Sequence, residues 1–192
     1  MKTLVRVAMV ALTFLASSKL PSSGQTFKFT SDELRKRYND QLKSDNGDLI
    51  KKCTKTEDEV ACSVDDTGFQ KSVQAFKQLD LANGKFELKE SLILSMSGSK
   101  VKVIIISGSR EDPMNLFHFV GQLGSLFITL NSELTQDEVT SLLKDKLGIM
   151  RGDDDPTIGK PMLEITKTFA ATCNNQLSSV STKIGCVFEP RY

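Results

Sequence analysis

The sequence predicts an α+β domain, an antiparallel sheet of about three hairpins packed with about four helices. Three observations carry this expectation: capped helical segments beginning at Thr30 and Thr135, two pairs of cysteines each spaced for one hairpin, and alternating apolar residues on either side of Gly98-Ser99. The two capped segments match at an offset of 105 residues, which aligns Leu34, Tyr38 and Leu42 with Val139, Leu143 and Leu147. An internal pseudo-repeat would produce this match. So would independent use of a common capping motif.

The chain opens with Lys2 and Arg6 ahead of an apolar run from Val7 to Ala16 and then small residues, the order of a secretory signal. A membrane span takes roughly 20 apolar residues, and this run is too short for one. Cleavage is expected after Gly24, with Ser18 as the alternative. Residues 1–24 are then a signal peptide and 25–192 a single disulfide-stapled domain, secreted or periplasmic, with no stable transmembrane anchor after cleavage. Loss of Lys2, Arg6 and Lys19 leaves 22 basic against 24 acidic side chains, a net charge of −2. That balance, with no interleaving of aromatic and basic residues, excludes the electrostatic footprint of a nucleic-acid binder. In an exported chain the four cysteines are expected to form two disulfides.

A first helix is expected from about Ser31 to Ser44. Thr30 and Glu33 form a capping box, Phe29 and Leu34 a hydrophobic staple, and Asn46-Gly47 ends it. Leu34, Tyr38, Gln41 and Leu42 share one face. A two-residue turn at Glu57-Asp58 then sets Cys53 opposite Cys62 in a non-hydrogen-bonded pair, where Cα atoms approach to about 4.5 Å, within disulfide range. Asp66 to Leu79 reads as a shorter helix with Phe69, Val73 and Phe76 inward.

The clearest hairpin comes next. A type II′ turn at Gly98-Ser99 pairs Met96 with Val101, Leu94 with Val103 and Leu92 with Ile105. Ile93, Ile104 and Ile106 take the opposite face, so the hairpin is expected to be central and covered on both sides. Asp112 and Pro113, an N-cap followed by proline, open a helix to about Ile128. The capping box of Thr135 and Glu138 opens another, with Val139, Leu142, Leu143 and Leu147 inward. In the last segment Leu163, Ile165 and Phe169 share strand parity with Cys173, as Ile184 and Phe188 do with Cys186, which places a Cys173–Cys186 bridge on the apolar face.

Few residues mark a chemical site. Met114 to Leu130 carries no formal charge and reads as a core helix, interrupted by Asn115, His118 and Gln122. His118 is the only histidine; among Phe117, Phe119 and Val120 it reads as a packing residue rather than a general base. No second histidine and no free thiol remain for a zinc or copper centre, so neither a metal nor a cofactor is expected, and no catalytic constellation is visible. Ser97-Gly98-Ser99-Lys100 and Ser107-Gly108-Ser109-Arg110 lie roughly 23 Å apart along one strand and lack phosphate-loop spacing, so they read as turns. Asp153-Asp154-Asp155 begins a calcium-loop count that fails at Ile158 and Pro161, leaving a solvated loop as the plainer reading. Arg151-Gly152-Asp153 is too short a match to carry meaning.

Function is expected to be binding rather than catalysis: an exported interaction protein of the cell envelope or extracellular space, its partner unidentified. One alternative is a small-ligand or lipid carrier with an apolar cavity near Pro113–Ile128. Another is a carboxylate-dependent hydrolase, since paired carboxylates need no motif visible in one sequence.

Overall fold

The structure is a computed structural model, and it describes residues 25–78, 86–151, 155, 158–175 and 183–191. The expected signal segment 1–24 lies outside these residues, as do Asp153 and Asp154 and the side chain of Phe76. Seven strands form one antiparallel sheet: β1 (Ile50–Lys55), β2 (Glu59–Val64), β3 (Ser91–Ser97), β4 (Lys100–Ser109), β5 (Met162–Ile165), β6 (Phe169–Asn175) and β7 (Lys183–Pro190). Their spatial order is β1-β2-β3-β4-β7-β6-β5. Helices α1 (Ser31–Ser44), α2 (Thr67–Gln78), α3 (Pro113–Leu130) and α4 (Gln136–Ser141) complete the fold, α4 running on into a π-helical turn over Leu142–Lys146. Among the described residues the fold is therefore α+β, with four helices and an antiparallel sheet, as the patterning indicates.

Both capping boxes form. Thr30 and Thr135 each accept the amide three residues on, and Glu33 and Glu138 each reach back to the cap amide. Asp112 caps α3 by accepting from the Asn115 amide at 2.8 Å. Leu34, Tyr38 and Leu42 of α1 are at most 1 % exposed; fully burying an apolar side chain contributes about 1.5–3 kcal/mol. They meet Phe119, Leu123, Leu126 and Phe127 of α3 in a core that spreads over Leu92, Leu94, Ile104, Ile106 and Phe188 of the sheet. Phe127, Phe169 and Phe188 pack ring against ring at 5.3–5.6 Å. Among the described residues no helix is long and apolar enough to cross a membrane.

The cysteines pair within hairpins, Cys53 with Cys62 and Cys173 with Cys186. Registers place both bridges on a single row across the sheet: Cys53, Cys62, Leu92, Ile106, Cys186, Cys173 and Met162. The row faces the helices. The two stapled hairpins flank β3–β4, but the capped helices lead into different strand arrangements. A two-strand hairpin comes after α1, and a three-strand meander comes after α4.

Three expectations are corrected. The Gly98-Ser99 turn does join Met96 to Val101, with Gly98 at φ 58°, but the register then shifts. Leu94 lies opposite Ile104 and Leu92 opposite Ile106. The irregularity near Lys102 swaps parity on β4, because an extra residue turns every later side chain over. Ile104 and Ile106 therefore enter the core, while Val103 and Ile105 are half-buried on the other face, which the helices do not close as they close the first. Second, Met162–Ile165 is a separate strand, turned back through Thr166 and Thr168 onto Phe169. Pairing Leu163 with Thr172 and Ile165 with Ala170 sends both away from the core, and they are 50 % and 52 % exposed. Third, the helix after Thr135 is α-helical only to Ser141. The π turn widens it, yet Val139, Leu143 and Leu147 still point inward.

Candidate functional site

The polar interruptions of α3 fall at Asn115, His118, Gln122 and Ser125, a spacing that aligns them on one helical face. Each is tied to one or both of two loops. Asn115 holds the 86–90 segment, donating to the Glu87 carbonyl at 3.2 Å and accepting from the Lys89 amide. Gln122 donates to the Asp48 carbonyl at 2.7 Å, and Ser125 donates to Asp45 Oδ2 at 2.6 Å. Tyr38, wholly buried on α1, donates to the backbone and side-chain carbonyls of Gln122 at 2.9 and 2.8 Å. Its pKa stands well above the usual phenolic value because burial disfavours the phenolate, with the nearby Glu90 charge adding to it.

His118 sits at the centre of this stripe and bridges both loops. Nδ1 lies 2.9 Å from Glu90 Oε1 and Nε2 lies 3.0 Å from Asp48 Oδ2. Both nitrogens face carboxylate oxygens, so the imidazolium, donating from each, is the form that satisfies every contact. Burial lowers the imidazole pKa, but hydrogen bonds and charge from Glu90 and Asp48 together outweigh it, and the net shift is upward. Burial raises the Glu90 pKa despite His118. The Glu90 side chain has no solvent exposure, and among the described residues its Oε2 has no hydrogen-bond partner. The Phe69 ring meets the imidazole edge-on at 5.5 Å.

Asp48 is held differently. Its two oxygens accept the Gly68 and Phe69 amides at 2.7 Å each, so a carboxylate 20 residues upstream caps the first turn of α2. Amides and dipole at a helix N-terminus favour an anion there. Only glycine leaves room: a Cβ on Gly68 would stand 2.5 Å from Asp48 Oδ1.

Beside the polar stripe, Met114, Phe117 and Gly121 form a second stripe that faces a cleft of about 550 Å³ between α3, the 42–48 segment and the start of α2. Phe117 is 79 % exposed at its lip, the most exposed of the large apolar side chains described. Leu42 and Phe69 supply further apolar wall, while Asp45, Asp48, His118, Gln122 and Ser125 supply polar atoms. Among the described residues no lysine or arginine lines it.

Sequence reasoning placed His118 as a packing residue and missed Asp48 and Glu90, which lie 70 and 28 residues from it. The available signal was the polar stripe itself, since four polar residues on one face of an uncharged helix require partners. The two Ser-Gly-Ser segments stay apart: Ser97 to Lys100 turns between β3 and β4, and Ser107 to Ser109 pairs with β7. Among the described residues no group of three or more His, Cys, Asp or Glu could hold a metal, and no cysteine is free. Comparison finds no family model, curated protein or solved structure that matches the chain.

Proposed function

We propose that this chain is an exported, non-catalytic binding protein whose recognition site is the cleft along α3, and that the cleft takes the apolar part of a small ligand. Phe117 carries this reading. An aromatic ring left 79 % exposed at the lip of a largely apolar cleft loses contact with water only when something is bound. The volume lies within the roughly 300–1,000 Å³ range of small-molecule sites. Two disulfides support an oxidising compartment.

The geometry favours binding over hydrolysis. Asp48 and Glu90 face one another across an imidazole, not across a gap for substrate, and both ring nitrogens of His118 are engaged. A general base needs a free lone pair within reach of the proton it takes.

A titration with the neutral solvatochromic dye Nile red tests the reading. A Cβ on Gly121 would meet nothing within 4 Å, so Gly121→Leu starts a side chain into open space on the cleft wall and is the variant that fills it. Saturable blue-shifted emission is expected from the native protein and loss of it from Gly121→Leu with an unchanged circular-dichroism spectrum. Equal binding by both proteins would refute the site.

A second reading, recognition of a protein partner, draws on Leu163 and Ile165. They stand half-exposed on edge strand β5, where an added strand could pair.

A further inference from the structure

We infer that the ligand of the α3 cleft is an organic cation, an apolar body bearing an ammonium-type group; the inference rests on the cleft being a binding site. Its wall is apolar at one end, where Met114 and Phe117 stand, and anionic at the other, where Asp45 meets Ser125. Asp45 is exposed at the mouth and is also the C-cap of α1, so its carboxylate adds to the negative end of that helix dipole. Neither Ser125 nor Gln41, the two side chains that donate to Asp45, brings a positive charge.

The positive charge in the lining is that of His118, and it is offset from both sides. Asp48 and Glu90 each take one of its ring nitrogens, which leaves the triad net negative when both are ionised. With no lysine or arginine among the described residues of the wall, an anionic ligand would face repulsion from Asp45 that no cationic side chain offsets. Phe117, at the opposite end from Asp45, offers its ring to the apolar body of the ligand.

Charge selectivity is read by calorimetric titration with three ten-carbon probes: decyltrimethylammonium, decanol and decanoate. The ammonium is expected to bind tightest and decanoate weakest. Replacing Asp45 with Asn, which keeps the side-chain shape and one oxygen to accept from Ser125, is expected to narrow the ammonium advantage over decanol by roughly fivefold, the size of one near-surface charge contact. Gly121→Leu is expected to abolish binding of all three. Equal binding of the ammonium and decanol, tighter binding of decanoate, or an ammonium preference untouched by Asp45→Asn would each overturn the inference while leaving the cleft as an apolar site. Binding of none of the three would overturn the cleft reading itself.

Discussion

Glu90 and His118 meet through a 2.9 Å hydrogen bond from which the carboxylate side is wholly shielded from solvent. The contact joins the segment before β3 to the middle of α3, and Asp48 on the far side of the ring joins both to the loop after α1. One imidazole thus pins two loops to the helix that forms the cleft floor. Removing one partner of a buried ion pair leaves the other charge uncompensated, and typically costs about 3–5 kcal/mol. His118→Gln is expected to lose stability on that scale in urea denaturation. In a double-mutant cycle with Glu90→Gln the two losses should fall short of additive by about 0.5–3 kcal/mol. Additive losses would mean that the pair does not act as a unit.

Stability is expected to fall as pH rises. Both Glu90 and His118 have pKa values raised in the folded state, so the native protein holds protons that the unfolded chain has released. The His118 contribution is complete below its ordinary value of 6.5 and is lost as pH climbs through the raised folded value. The Glu90 contribution declines in the same direction from its ordinary 4.5 upward. Urea midpoints measured from about pH 4.5 to 9 should therefore decline, and His118→Gln should remove the part of the decline above 6.5. A native midpoint that rises across this window contradicts the assignment.

The Asp48 cap on α2 depends on a hydrogen atom where any other residue carries carbon. Gly68→Ala places a methyl 2.5 Å from Asp48 Oδ1 and must push the carboxylate aside. Overpacking of this kind costs about 1–3 kcal/mol. Hydrogen exchange should accelerate at the Gly68 and Phe69 amides, which Asp48 protects, and leave β6–β7 unchanged.

The two disulfides should differ in accessibility to reductant. Cys173 and Cys186, on the inner strands β6 and β7, are at most 1 % exposed, whereas Cys53 is half-buried on edge strand β1. Under mild reductant without denaturant, peptide mapping should find Cys53 and Cys62 alkylated first. Removing either bridge is expected to cost about 2.5–3 kcal/mol by the chain-entropy model.

Much of the fold was legible because its signals are local. Capping boxes at Thr30 and Thr135, the N-cap and proline at Asp112-Pro113, and the turn at Gly98-Ser99 each declare themselves within four residues. The Cys53–Cys62 register came from one turn length. Legibility failed where a single residue changes parity. The shift near Lys102 exchanged Val103 and Ile105 for Ile104 and Ile106, and the Thr166 turn split one expected strand into β5 and β6. The site was less legible still. Asp48, Glu90 and His118 come together only through the packing of α3 over the ends of α1 and β3, and no local pattern encodes such a meeting. Phe117 also looked like core, because Phe119 and Leu123 farther along α3 are; only the helix orientation separates them.

The cleft along α3 is the centre of the account, and amide chemical-shift mapping of the isotope-labelled protein with decanol tests it most directly. Saturable shifts are expected at Gly47, Asp48, Gly68, Phe69, Phe117 and Gly121, the residues around the cleft, with β5 and the open sheet face unmoved. Shifts centred on Leu163 to Ile165, or no saturable shifts at all, would contradict it.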